Sequence, residues 1–117
     1  MYKKLSFIIT LLLVFAISGC ASQKEKEQKD SFFTAVRNGD KKQVEKIISS
    51  KSSLVKAKSN GGVTPLIEAS YLGQKDIAEL LISWGADVNA KNNNGQTPLD
   101  VAKTEDIKAL LHKHGGR

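Results

Sequence analysis

The tripeptide Thr64-Pro65-Leu66 returns 33 positions later as Thr97-Pro98-Leu99, and a glycine stands two residues ahead of each copy, at Gly62 and Gly95. A period of this length constrains the fold more than any composition does. A unit so short cannot bury an apolar face alone, so successive copies must stack on one another. Pro65 and Pro98 are the only prolines. Each follows a threonine whose hydroxyl can cap free N–H groups, so each Thr-Pro-Leu marks a helix start. Further along, Ile77, Ala78, Leu80 and Leu81 recur at three- and four-residue spacing, which predicts a second helix with one apolar stripe. Gly73 falls between the two helices, where a left-handed residue ends the first. Asn93, Asn94 and Gly95 suit the tip of a tight loop.

The Thr-Pro-Leu start, the glycine between helices, the Ile-x-x-Leu-Leu second helix and the closing Gly85-Ala86-Asp87-Val88-Asn89 resemble the ankyrin repeat. The resemblance implies an all-α fold: an ankyrin-repeat solenoid of stacked helix-turn-helix units joined by hairpin-like loops. A weaker copy precedes, since Phe32 to Ser49 aligns with Leu66 to Ser83 at an offset of 34, with Ala35 on Ala69 and Gly39 on Gly73. A final copy is shortened. From Thr97 to Ile107 is ten residues, against thirteen from Thr64 to Ile77, and the missing three are expected to come from the turn between its helices. The repeats are placed at about 32–60, 61–93 and 94–117, one full unit between two caps. The family's usual histidine after Thr-Pro-Leu is replaced by Ile67 and Asp100, so the cross-brace it provides between repeats is expected to be missing.

The N-terminus carries a different signal. Lys3 and Lys4 precede an apolar run from Leu5 to Ile17, and small residues follow. That is a secretory pattern, too short for a membrane-spanning helix of about 20 residues. Its end, Ile17-Ser18-Gly19-Cys20, resembles a bacterial lipobox. The resemblance implies a signal peptide over 1–19, a diacylglycerol on the Cys20 thiol, and cleavage just before that residue. Cys20 is the single cysteine, so no disulfide can brace the fold. No cofactor is expected beyond the covalent lipid at Cys20. The expected location is the bacterial cell envelope, extracytoplasmic, with the chain lipid-anchored to a membrane.

Residues 21–31 hold no aromatic or large aliphatic side chain. Such a stretch buries too little to repay its ordering entropy, and 20–31 is read as a lipidated flexible tether ahead of a domain over 32–117. Loss of Lys3 and Lys4 with the signal leaves 16 basic and 12 acidic residues, a formal charge of +4. Sixteen of the 18 basic residues in the whole chain are lysine, with arginine only at Arg37 and Arg117. Phosphate-reading surfaces favour the arginine fork, so nucleic acid is not an expected partner. Lysine suits a solvated surface with a mild attraction to anionic headgroups.

Catalytic apparatus is not visible. His112 and His114 stand two apart, which points them to different faces of a helix, and they are read as structural or solvent-facing rather than as metal ligands. Trp84 is read mainly as cover for a helix end. The ankyrin resemblance implies a partner surface on the concave face and loop tips. Carried over by position, the concave set is Thr34, Arg37 and Asn38, then Glu68, Tyr71 and Leu72, then Val101, Lys103 and Thr104. Lys91, Asn92 and Asn93 belong to the loops. Tyr71 beside Leu72 is the most suggestive pair, because Tyr buries area at low entropic cost and keeps a hydroxyl for orientation. The expectation is a monomeric, non-enzymatic module that binds an unidentified protein, in one form an inhibitor or immunity lipoprotein. The rival is a structural envelope lipoprotein without a dedicated ligand.

Overall fold

The computed structural model describes residues 24–117. The signal peptide over 1–19 and Cys20 lie outside the described residues. The chain divides after Asp30, and the regular elements of the unit that follows are all helical among its described residues.

Residues 24–30 are helical, as are residues 31–38, which form α1 of the second unit. Residues 24–31 of the stretch read as a tether are thus helical. Lys, Glu and Gln are strong helix formers, no Gly or Pro interrupts them, and Glu25–Lys29 and Lys26–Asp30 place opposite charges at i,i+4. Low apolar content argued against packing but not against local helix.

Five further helices follow: α2 Lys41–Ser50, α3 Pro65–Leu72, α4 Lys75–Ser83, α5 Pro98–Val101 and α6 Glu105–Lys113. They pair as α1/α2, α3/α4 and α5/α6, one pair per repeat. The starts follow the chemistry of the sequence. Thr64 Oγ1 accepts from the Ile67 N–H at 3.2 Å, and Thr97 Oγ1 accepts from the Asp100 N–H at 3.3 Å. Asp100 completes a capping box, its Oδ2 accepting from the Thr97 N–H at 2.9 Å. So one replacement for the family histidine caps its own helix, while the other, Ile67, is buried. Gly73 ends α3 at φ 75°, a left-handed conformation that glycine adopts without steric cost.

The core is one continuous layer between the helix pairs. Phe32, Val36, Val44 and Ile48 come from the first repeat, Leu66, Ala69, Ile77 and Leu81 from the second, and Ile107 and Leu111 from the third. Full burial of each large side chain is worth about 1.5–3 kcal/mol, with no disulfide to share the load. The first repeat adds a 3₁₀ turn, Ser52–Lys56, whose Leu54 and Val55 are buried. It occupies the place of the Gly-Ala-Asp loop that this repeat lacks.

The third repeat corrects an expectation. The spacing places the three missing residues in the inter-helix turn, but the loss falls in the helix. α5 has 4 residues where α3 has 8, and the connection Ala102–Thr104 is longer than Gly73–Gln74. Without a glycine at the turn, the chain leaves the helix early through extended Ala102 and restarts at Thr104, whose Oγ1 accepts from the Ile107 N–H at 3.3 Å.

Candidate functional site

The helices α1, α3 and α5 carry the surface residues expected to meet a partner, and the structure joins several of them across repeats. Arg37, on α1, donates through Nε to Glu68 Oε1 on α3 at 2.6 Å. Lys103, just after α5, sets its ammonium 5.7 Å from the centre of the Tyr71 ring, within cation–π range. The Lys103 N–H donates to the Ser70 carbonyl at 3.1 Å, which holds that lysine over α3. A strip therefore runs Arg37, Glu68, Tyr71, Lys103, with one charged contact at each junction between repeats.

Within this strip Tyr71 is 58% exposed and Leu72 is 40% exposed. Both are large apolar groups left uncovered beside polar neighbours that fix their surroundings. Thr34 and Asn38 are exposed on α1, and Val101 is half-buried on α5. Thr104 is occupied as the α6 cap, so its hydroxyl serves the fold first.

The loop residues divide similarly. Asn92 Oδ1 accepts from the N–H groups of Asn94 and Gln96 at 2.9 and 3.0 Å, and its Nδ2 donates to Gln96 Oε1. Asn93 ties the second loop to the first: its N–H donates to the Gly61 carbonyl at 3.0 Å, and Nδ2 donates to the Asn60 carbonyl at 3.3 Å. These two asparagines shape and stack the loop tips. Lys91 is exposed and lines a depression of about 450 Å³ together with Lys56, Lys58 and Asp87. The Asp87 carboxylate there accepts from the Asn89 N–H at 2.9 Å.

Sequence reasoning missed Gln74. Its Nε2 donates to the carbonyls of Val36 and Arg37 at 2.6 and 3.1 Å, closing the end of α1 from the next repeat. Nothing in the local pattern singles out this residue, because its partners lie a whole repeat away. His112 and His114 are both exposed, at the end of α6. Among the described residues no group of three His, Cys, Asp or Glu side chains comes together in a geometry for a metal ion. Trp84 is 40% exposed at the C-terminal end of α4.

A stack of helix pairs with stitched loop tips and an exposed aromatic strip defines a helical-repeat scaffold. The sequence matches the family model described as ankyrin repeats (3 copies), over residues 3–92 and over 32–116. The chain belongs to the ankyrin-repeat family. Comparison with curated proteins finds no match. Ankyrin repeats generally mediate protein–protein interaction and are typically non-catalytic.

Proposed function

We propose that this protein is a lipid-anchored, extracytoplasmic lipoprotein of the bacterial envelope, and that its ankyrin stack captures a partner protein on the strip around Tyr71. The observation that carries the binding face is the pair Tyr71 and Leu72, exposed side by side on α3 and flanked by Arg37–Glu68 and Lys103. Interfaces concentrate their energy in such aromatic anchors ringed by polar contacts. The anchor rests on the Ile17-Ser18-Gly19-Cys20 motif behind a short apolar segment. Two or more acyl chains hold a protein on a bilayer far more firmly than one. With three short repeats the contact area is small, which favours a compact epitope over a large one. An inhibitor or immunity role is the finer form of this reading: a tethered binder that intercepts a secreted toxin or lipase at the cell surface.

The test is a photo-crosslinking residue at Tyr71 in cells, followed by mass spectrometry of the adducts. One dominant adduct, lost with Lys103→Glu, supports the reading. Adducts spread over abundant bystanders, unchanged by Lys103→Glu, overturn the binding face. Palmitate-analogue labelling of wild type and Cys20→Ala tests the anchor separately: equal absence of label sinks it.

A further inference from the structure

The charge of the folded domain is concentrated at one end of its sequence. Residues 32–60 carry seven basic side chains against two acidic ones, Asp40 and Glu45, whereas residues 61–93 carry two against four. The outer helices show the same gradient. α4 begins with Asp76 in its first turn and α6 with Glu105 and Asp106, but α2 has no acidic residue there. Lys41 and Lys42 occupy that turn instead. A helix N-terminus carries partial positive charge and favours carboxylates; Asp40 supplies one as the α2 cap, accepting from the Gln43 N–H at 3.1 Å, and the two lysines that follow add nothing to that cap.

The placement of these lysines is consistent with a surface contact. Val44 and Ile48 turn inward from α2. Lys42 and Lys46, one turn apart, stand on the opposite side of the helix, and both are exposed along with Lys41. Lys56, on the 3₁₀ turn that follows, is exposed as well. Among the described residues Lys41, Lys42 and Lys46 make no ion pair. The apolar residues of this repeat are buried or, at Ile47 and Ala57, half-buried, so the patch offers mainly charge. That chemistry suits a fluid anionic surface better than a shaped protein epitope.

We infer that the first repeat, through Lys41, Lys42, Lys46 and Lys56, docks on a bilayer containing anionic phospholipid headgroups. The inference rests on the proposed anchor, which would attach the chain to a membrane only twelve positions before Phe32. Even fully extended, that segment reaches about 40 Å. Attraction between lysines and anionic lipid acts within a Debye length, about 10 Å at moderate salt. Docking through α2 and the 3₁₀ turn would leave Tyr71, Leu72 and Lys103, on the second and third repeats, available.

The test uses the purified full-length protein in vesicles of phosphatidylcholine alone or of phosphatidylcholine with phosphatidylglycerol. Lysines are acetylated briefly and read peptide by peptide. In the anionic vesicles Lys41, Lys42, Lys46 and Lys56 should react about fivefold more slowly, while Lys75, Lys108 and Lys113 keep their rates. The protection should vanish in about 1 M salt, where screening shortens to about 3 Å. Equal reactivity in both vesicle types, or protection spread over every lysine, overturns the proposal. So does protection in neutral vesicles that appears only when an acidic membrane protein is added. The acyl chains of a cleaved, lipidated form and the apolar segment of an uncleaved form would each bring the protein to both vesicle types, so the contrast between compositions reads the patch. The mass of the Cys20 peptide reads the anchor independently.

Discussion

Gln74 reaches back across the first interface of the stack and donates to the Val36 carbonyl at 2.6 Å. That carbonyl lies at the end of α1, where it also accepts from the Gly39 N–H at 3.1 Å. The same Nε2 also meets the Arg37 carbonyl at 3.1 Å, so one side chain caps a helix belonging to its neighbour. Gln74→Ala should lower the unfolding free energy by about 1–2 kcal/mol with little change in overall helicity. Urea denaturation followed by circular dichroism measures it. A loss below experimental error would show that water replaces the amide at no cost.

Gly62 and Gly95 provide a controlled comparison. Both are left-handed, at φ 72° and 74°, so alanine strains the backbone similarly at each. A Cβ at Gly62 would overlap Asn93 Oδ1 and stand 3.0 Å from the Asn93 backbone nitrogen, whereas one at Gly95 meets nothing within 4 Å. Gly95→Ala should cost about 1–2 kcal/mol from backbone strain alone. Gly62→Ala should cost measurably more, because it also forces the two loop tips apart. Equal thermal shifts for the two variants would mean that the tip contact contributes nothing.

Ser70 is fully buried in α3, and its hydroxyl has no hydrogen-bond partner among the described residues. An unsatisfied buried hydroxyl costs free energy, and alanine is the better helix former. Ser70→Ala should raise stability by about 1–2 kcal/mol, read as a higher denaturation midpoint at unchanged slope. A destabilised variant would reveal a partner for the hydroxyl.

Glu105 opens α6, and its Oε1 accepts from Lys108 Nζ at 2.8 Å. That hydrogen bond, assisted by the charge of Lys108, holds the carboxyl below its ordinary value. A depressed carboxylate contributes stability above its unfolded-state pKa and loses it as pH falls through the folded value. The group is fully exposed, so solvent screening keeps the effect small. Lys108→Met should move the Glu105 titration, followed by NMR, upward toward an ordinary carboxylate. It should leave the denaturation midpoint at neutral pH nearly unchanged. An unmoved titration would assign the depression to the helix N-terminus instead.

The repeat, its helix starts and its core were legible because each is written in local chemistry: Thr-Pro at the caps, an apolar stripe at Ile77, Ala78 and Leu81, and a glycine at the turn. Legibility failed where the determinant was not local. Leu54 and Val55 sit in a stretch of serines and lysines and become core only because α2 and α3 lie beside them. The shortening of the third repeat could be counted from the spacing but not placed, since helix and turn compete for the same residues. At the candidate site, exposure of Tyr71 and Leu72 followed from their repeat positions. The contacts of Arg37 with Glu68 and of Lys103 with Tyr71 span repeats, so no single repeat announces them. Asn92 and Asn93 are loop positions by the repeat resemblance, and what the sequence does not show is that their amides bond within and between the loops.

The bonds from Asn93 to Asn60 and Gly61 have a mechanical consequence. Two loops that would otherwise sway independently are riveted into one plate. A docking molecule that spans them need not quench two separate motions, so the entropic penalty of capture has largely been met during folding. A binder this small holds few contacts in reserve, and rigidity lets it keep more of what those contacts yield.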